Sequence, residues 1–332
     1  MLLTLAASRR VLFLGGKGGV GKTTVASAVA YAQARDGRRV LLVSTDPAHN
    51  LGHLWQCRIG PEPRPLAAGL DAVEIDPGAT VKAHLGQVGD ALRKLMPPHL
   101  SGEVDRHLAL SRDAPGMLEA ALLERIAGIV QQGLRSHDLL VFDTAPSGHT
   151  ARLMALPDMM AAWTDGLLRR QARSERFGVA LRNLGGDDGV AARALGEGDE
   201  ARTPGDRDQA IRAMLHRRRH LFGDLRDVLA DATATAFAIV LAAERLPVLE
   251  TIELHASLVR AGIHVGALVV NRRSPADAGA FLAERRVQEE IHLRALREAL
   301  PDIPLQQLPL LAGDVAGEAG VAAIADLLAR SG

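Results

Sequence analysis

The sequence predicts an α/β protein whose mainly parallel β-sheet is flanked by helices and carries an inserted helical subdomain. One observation is a strand–turn–helix–strand succession within the first 45 residues, which is typical of parallel sheets. A second is that the candidate strands are apolar throughout, as strands buried on both faces are. A third is that residues 79–133 and 153–230 have helical patterns, which predict the subdomain. We expect residues 1–332 to form one domain that includes it.

Each element follows from its local composition. Arg10–Leu14 is an apolar run that predicts the first strand, and Gly15–Lys22 predicts a glycine-rich turn. Thr23–Arg35 is rich in alanine and predicts a helix. The remaining candidate strands are Arg39–Thr45, Ala72–Ile75, Leu139–Asp143, Ala236–Leu241 and His264–Asn271. In the second helical stretch, Gly185–Asp208 is rich in glycine and aspartate, so we expect a loop that buries little surface.

Composition excludes several classes of protein. The chain has 39 basic and 39 acidic residues and no net charge, which argues against a nucleic-acid partner. Its one cysteine, Cys57, excludes an intrachain disulfide and a cysteine-rich zinc site. Apolar runs such as Ala236–Ala243 are far shorter than the roughly 18 residues of a membrane span, and the first residues lack the pattern of a secretion signal. We expect a cytoplasmic protein.

A phosphate-binding motif connects the first strand to the first helix. Residues 16–23 (GKGGVGKT) fit the pattern G-x-x-x-x-G-K-[ST]. In such a loop the backbone N–H groups face phosphate oxygens, Lys22 reaches the β- and γ-phosphates, and the Thr23 hydroxyl binds Mg²⁺. The alternative is a turn that only packs the helix on the strand. The predicted nucleotide-binding residues of the loop are Gly16, Lys17, Gly18, Gly19, Val20, Gly21, Lys22, Thr23 and Thr24.

Lys17 is a second cation in the same loop. Only four of the 39 basic residues are lysines, and two of the four, Lys17 and Lys22, lie here. Lys17 is either a solvated surface lysine or a catalytic cation that neutralises phosphate charge in a facing subunit. Because the chain has one such loop, the facing subunit would be an identical copy, so we expect a nucleotide-dependent homodimer.

Three segments together carry a resemblance to a known family. They are GGKGGVGKTT around the loop, STDPAHNLG at Ser44–Gly52 and DTAPSGHTARLMALP at Asp143–Pro157. The chain resembles the ATPases of the arsenite-pump and guided-entry tail-anchored-protein-targeting family, which have a deviant Walker A loop. The resemblance implies a P-loop NTPase fold and hydrolysis of Mg-ATP to ADP and phosphate.

The resemblance also implies roles for single residues. Asp46 would orient the attacking water and hold Mg²⁺ through water, and Asp143 would hold Mg²⁺ through water. Pro47–Asn50 and Thr144–Thr150 would be switch loops that respond to the γ-phosphate. The alternatives are a helix N-cap for Asp46 and an ordinary strand-end turn for Asp143. His49 and His149 would act in the switches or only hydrogen-bond within them.

Further residues would contact the adenine base. Asn271 resembles the asparagine that reads adenine, and Leu310–Asp314 resembles a loop beside the base, which makes Leu310 and Leu311 candidate contacts.

The sequence departs from the family in its cysteines. It lacks the C-x-x-C pair that binds zinc between the two subunits of some family members, so we expect no zinc. The expected cofactors are ATP and Mg²⁺. Cys57 alone cannot form the site of several thiolates that binds a metalloid. The alternative is that Cys57 is buried and packs as a small apolar side chain. Four methionines in the second helical stretch suit either an apolar client groove or an ordinary core, namely Met154, Met159, Met160 and Met214.

Three functions follow as hypotheses. The first is an ATP-driven dimeric switch that binds an apolar protein client, which also allows a membrane partner. The second is the catalytic subunit of an arsenite or antimonite efflux system. The third is a positioning ATPase of the Min or Par type, for which the short C-terminal segment lacks a basic amphipathic tail.

Overall fold

A computed structural model describes residues 1–46, 48, 50–95, 101–112, 114, 116–145, 156–157, 159–160, 164–166, 169 and 204–330. In this part of the chain eight strands form one sheet in the order β3-β4-β2-β5-β1-β6-β7-β8, and every neighbouring pair is parallel except β3 and β4. The strands are β1 (Val11–Gly15), β2 (Val40–Ser44), β3 (Arg64–Ala67), β4 (Leu70–Glu74), β5 (Leu139–Asp143), β6 (Thr235–Ala242), β7 (Val265–Arg273) and β8 (Leu305–Pro309). The predicted mainly parallel α/β fold is confirmed.

Helices precede, connect and follow these strands. They are α1 (Leu2–Ala7), α2 (Lys22–Arg35), α3 (Asn50–Leu54), α4 (Pro77–Leu95), α5 (Ser101–Ser111), α6 (Met117–Ser136), α7 (Pro204–Ala230), α8 (Arg245–Arg260), α9 (Ala280–Ala299) and α10 (Gly317–Arg330). Among the described residues no helix combines the length and the apolar character needed to cross a membrane.

The chain divides into two compact units. The sheet unit comprises Met1–Gly78, Ile126–Ala155 and Leu225–Gly332, and the helical unit comprises Ala79–Arg125 and Leu156–Asp224. Both predicted helical stretches therefore extend a little beyond the helical unit, since their last residues, 126–133 and 225–230, belong to the sheet unit.

The middle of the sheet is held together by aromatic packing. Phe13 on β1 pairs in register with Phe142 on β5 and with Phe237 on β6. The ring of Phe13 stacks on that of Phe142 with 4.6 Å between centroids, and the Phe237 ring lies 6.3 Å away. All three side chains are almost fully buried. This row packs β5, β1 and β6 side by side. Because the three strands are parallel, the loops that follow them leave from the same edge.

Some elements were not predicted. The sequence analysis placed no strand at β3 or β8, no helix at α1, α3, α8, α9 or α10, and a loop over Gly185–Asp208. Residues 185–203 lie outside the described part of the chain, whereas α7 begins at Pro204. The loop prediction is therefore wrong for its last residues, because proline suits the first turn of a helix, where its missing N–H is not needed.

Candidate functional site

The glycine-rich loop lies between β1 and α2 and packs closely on its neighbours. Gly16 has φ +143°, and a Cβ there would lie 2.0 Å from the carbonyl oxygen of Val240 on β6. Gly21 has φ +92°, and its Cβ would lie 2.3 Å from the side-chain nitrogen of Asn271. Both positions therefore require glycine, which brings the loop backbone against the ends of β6 and β7.

Lys22 lies inside the loop. It is 5% exposed, and its Nζ donates a hydrogen bond to the carbonyl oxygen of Lys17 at 3.0 Å. Burial lowers the pKa of Lys22, an effect that the nearby carboxylates of Asp143 and Asp46 oppose. A buried ammonium held by one carbonyl is ready to exchange that contact for phosphate oxygens.

Thr23 and Asp143 form the predicted metal-binding pair. The Thr23 hydroxyl donates to Asp143 Oδ2 at 2.6 Å, which joins the start of α2 to the end of β5. Asp143 is fully buried, and its Oδ1 lacks a hydrogen-bond partner among the described residues. Burial raises the pKa of Asp143 to about 7, although the Thr23 hydrogen bond and the Lys22 charge lower it. Because Mg²⁺ prefers oxygen ligands and would stabilise the ionised carboxylate, these residues fit that ion.

Asp46 follows β2 at the same edge of the sheet, because Ser44 pairs in register with Asp143. Its Oδ1 accepts the backbone N–H of Ala48 at 3.0 Å, and its Oδ2 accepts from the Asn50 side chain at 3.3 Å. In this structure Asp46 thus holds its own turn, but it does not cap a helix, since α3 begins only at Asn50. Its catalytic role stays a prediction. Of the predicted switch residues, Pro47, His49 and 146–150 lie outside the described residues.

Lys17 makes a contact that the sequence analysis missed. Its Nζ lies 2.9 Å from Glu250 Oε1 on α8, and the two side chains are 36% and 37% exposed. An ion pair at this exposure contributes little to stability and exchanges readily for another anion. Glu250 lies 233 positions from Lys17 in the chain, so no local sequence pattern could point to it.

The predicted adenine-binding residues lie beside the outer part of the loop. Asn271 is 8% exposed and donates through Nδ2 to the Val20 carbonyl at 2.9 Å, so in this structure it supports the loop. Leu310 and Leu311 are 43% and 36% exposed just beyond β8. A cavity of about 530 Å³ opens here, between the loop, the end of β6 and Leu310. The base-reading roles of these residues stay predictions.

Fewer contacts are described for the remaining candidate residues. Thr24 lies in the first turn of α2, and Cys57 packs, partly buried, against the core. His149 and Met154 fall outside the described residues. Within the described ranges no group of three or more histidine, cysteine, aspartate or glutamate side chains could hold a metal ion. The expectation that the protein uses no zinc stays a prediction.

A mainly parallel sheet with this loop between β1 and α2, a buried lysine within it and a Thr–Asp pair beside it defines a P-loop NTPase. Comparison with known proteins places the chain more narrowly. The sequence profile of the anion-transporting ATPase family matches residues 9–330, and the chain belongs to that family. The resemblance to the arsenite-pump and tail-anchored-targeting ATPases is confirmed, and so is ATP hydrolysis.

Curated relatives match over nearly their whole length. ATPase get3 of Aspergillus niger is 31% identical over 330 residues, which cover 96% of this chain and 90% of the relative. The ATPase ASNA1 homolog of Leishmania braziliensis is 31% identical over 369 residues, covering 92% and 89%. ATPase GET3 of Chaetomium globosum is 29% identical over 327 residues, covering 97% and 90%.

Proposed function

We propose that this ATPase is a cytoplasmic homodimeric switch that couples its nucleotide state to the binding of an apolar protein segment. Thr23 would hold Mg²⁺ directly, and Asp143 and Asp46 would hold it through water. Asp46 would also orient the attacking water, since each carboxylate oxygen can accept a further hydrogen bond beside those from Ala48 and Asn50. The bound Mg²⁺ would neutralise charge on the phosphates, and Lys22 would add a cation from within the loop.

The position of Lys17 carries the dimer proposal. Lys22 already supplies the buried cation of the loop, whereas the Lys17 ammonium is one-third exposed and rests on Glu250 of α8. A flexible, accessible cation at the rim of a phosphate site suits the nucleotide of a facing copy. Two copies related by a two-fold axis would each supply Lys17 to the other.

Mixing two inactive variants tests this exchange. We expect Lys17→Ala to lower steady-state ATP turnover by about 10²-fold or more, since a cation acting on phosphoryl transfer has effects of this size. Asp46→Asn should also hydrolyse ATP slowly, but this variant retains Lys17. An equal mixture should recover about a quarter of wild-type turnover, because half of the dimers are mixed and each has one complete site.

The mixture separates the two roles of Lys17. If Lys17 served its own site, the mixed dimer would contain no complete site and the activity would not recover. That result would contradict the dimer proposal, as would full activity of Lys17→Ala alone. Lys82→Ala, on the exposed side of α4, is a matched control for loss of a lysine and should behave like wild type.

The helical unit supports the client proposal. It contains a cavity of about 300 Å³ whose apolar lining includes Met117, Met160, Leu215 and Phe222. Methionine and leucine side chains adapt to apolar partners of varied shape. Met159 adds an exposed apolar side chain, at 65% exposure.

One wall of this cavity is charged. Glu124 pairs with His84 at 2.6 Å and with Arg218 at 3.6 Å. The pairing neutralises the wall internally, so an apolar occupant need not supply a counter-charge.

A capture experiment tests client binding. The probe is a soluble carrier protein that ends in a 20-residue leucine- and valine-rich helix, and Asp46→Asn serves as the ATP-bound form. We expect the probe to co-purify with that variant in Mg-ATP and to be released when ADP replaces ATP. A carrier whose helix contains four added aspartates is the control. Capture independent of nucleotide would contradict the proposed coupling.

Antimonite provides a contrasting probe. Turnover that rises with antimonite, and no longer rises in Cys57→Ser, would overturn the client proposal in favour of metalloid efflux. Since one thiolate per chain gives at most two at a two-fold axis, we expect no response.

A further inference from the structure

Arg272, at the end of β7, has an unusual backbone. Its φ is +57°, and in the described part of the chain Gln56 is the one other residue besides glycines with positive φ. The left-handed conformation is unfavourable for a residue with a Cβ. Such backbone conformations persist where surrounding structure enforces them, and they concentrate at binding sites.

The surrounding structure enforces this conformation, a local turn of the β7 backbone where its pairing with β8 shifts register between Val270 and Arg273. The side-chain oxygen of Asn271 accepts the Arg272 N–H at 2.9 Å. The next residue, Arg273, has a side chain that is 1% exposed and lies 2.6 Å from Glu289 Oε2. Glu289 also accepts the Ser274 hydroxyl at 2.6 Å. Residues on both sides of Arg272 are thus held by buried polar contacts, and the turn cannot relax without breaking them.

The turn presents the Arg272 side chain to the loop and the adjacent cavity. Its Nη1 donates to the Gly19 carbonyl at 3.0 Å, and the residue is exposed and lines the 530 Å³ cavity. Of the other cations that line this cavity, Lys17 pairs with Glu250 and Arg285 pairs with Glu244, whereas Arg245 is exposed on α8. The side-chain contact of Arg272 is a carbonyl, and among the described residues no carboxylate forms an ion pair with it.

Leu310 is fixed at the same place. Its backbone N–H donates to the Arg273 carbonyl at 2.8 Å, while its side chain is 43% exposed and lines the cavity. A planar cation and an apolar side chain therefore border one space beside the phosphate-binding loop. A flat aromatic ring suits this pair, because guanidinium groups stack on aromatic faces and apolar side chains pack against them.

We propose that Arg272 is a nucleotide-binding residue whose guanidinium stacks on the purine base of ATP, with Leu310 also packing against the base. This inference rests on the proposed nucleotide site, because it assumes that the phosphates lie in the loop at Lys22. The strained backbone of Arg272 serves to hold the guanidinium over the base. Asn271 then supports both the loop and this turn.

Arg272→Gly separates the guanidinium from the backbone strain. Glycine adopts positive φ freely, so we expect a Tm equal to or above that of wild type. We also expect ATP to bind about ten-fold more weakly by calorimetry, whereas inorganic tripolyphosphate, which lacks a base, binds within about two-fold of wild type. Arg272→Lys, which keeps the charge without the planar face, should remain weak for ATP. Gln56→Gly is the matched control and should raise Tm without changing either affinity.

Each outcome decides between explanations. Unchanged ATP affinity in Arg272→Gly would reduce Arg272 to a structural residue and overturn the inference. Equal weakening of ATP and tripolyphosphate would place the guanidinium on the phosphates, and would also overturn it. If the loop were not the phosphate site at all, Lys22→Ala would keep wild-type affinity for both ATP and tripolyphosphate. That result can be distinguished from the failure of the Arg272 inference alone.

Discussion

Replacing Lys22 by alanine is expected to abolish ATP binding, with the affinity falling by about 10²-fold or more. Lys22 is the buried cation of the loop, and its Nζ already lies within the ring of backbone groups that would surround the phosphates. Charge-assisted contacts with phosphate oxygens are strong, and they are stronger where water is excluded. Calorimetry with ATP, ADP and tripolyphosphate measures the loss, which should extend to all three ligands.

The fold should survive this change. Burial already lowers the pKa of Lys22, so the charged group is unfavourable in the empty site and its removal need not destabilise the protein. Lys82→Ala controls for the loss of one lysine. Retained micromolar affinity for ATP in a folded Lys22→Ala variant would contradict the assignment of the loop as the phosphate site.

Asp46→Asn should leave ATP binding intact and slow hydrolysis by about 10²-fold or more. The asparagine oxygen can still accept the Ala48 N–H that Asp46 accepts at 3.0 Å, so the backbone contact of the turn after β2 is preserved, whereas the exposed contact with Asn50 is not. An amide, however, cannot orient and deprotonate the attacking water as a carboxylate does. Single-turnover hydrolysis of pre-bound ATP isolates this chemical step from nucleotide binding and product release.

Asp36→Asn, at the exposed end of α2, is the matched control for the same substitution. If Asp46→Asn hydrolysed ATP at the wild-type rate, the carboxylate would serve only to cap its turn, as the contacts in this structure show it doing. A different group would then have to orient the water.

The central strands could be predicted because their signal is local. β1, β2, β5 and β6 are continuous apolar runs, and burial on both faces of a parallel sheet selects such runs directly. The edge strand β8 has the sequence LQQLP, which carries no such signal. Its Gln306 is only 2% exposed. Burial of this amide is tolerated because its oxygen accepts the Leu2 N–H at 2.9 Å and its nitrogen donates to the Leu328 carbonyl at 2.8 Å.

The loop itself could be predicted from eight consecutive residues, because the glycines, Lys22 and Thr23 that form it are adjacent in the chain. Their partners could not be predicted in the same way. Glu250 lies 233 positions from Lys17, and Asp143 lies 120 positions from Thr23. Only the resemblance to known ATPases pointed to Asp143, and nothing in the sequence pointed to Glu250.

By itself, the sequence determined the class of fold, the phosphate-binding loop and the chemistry available there, since these depend on residues adjacent in the chain. The tertiary structure decided which side chains surround that loop, and it set their ion pairs, pKa values and backbone conformations. It placed Lys17 on Glu250, enclosed Asp143 so that its pKa rises to about 7, and held Arg272 in a left-handed turn. The physical reason is that burial, ion pairing and enforced backbone strain arise between segments that the sheet brings together across the whole chain.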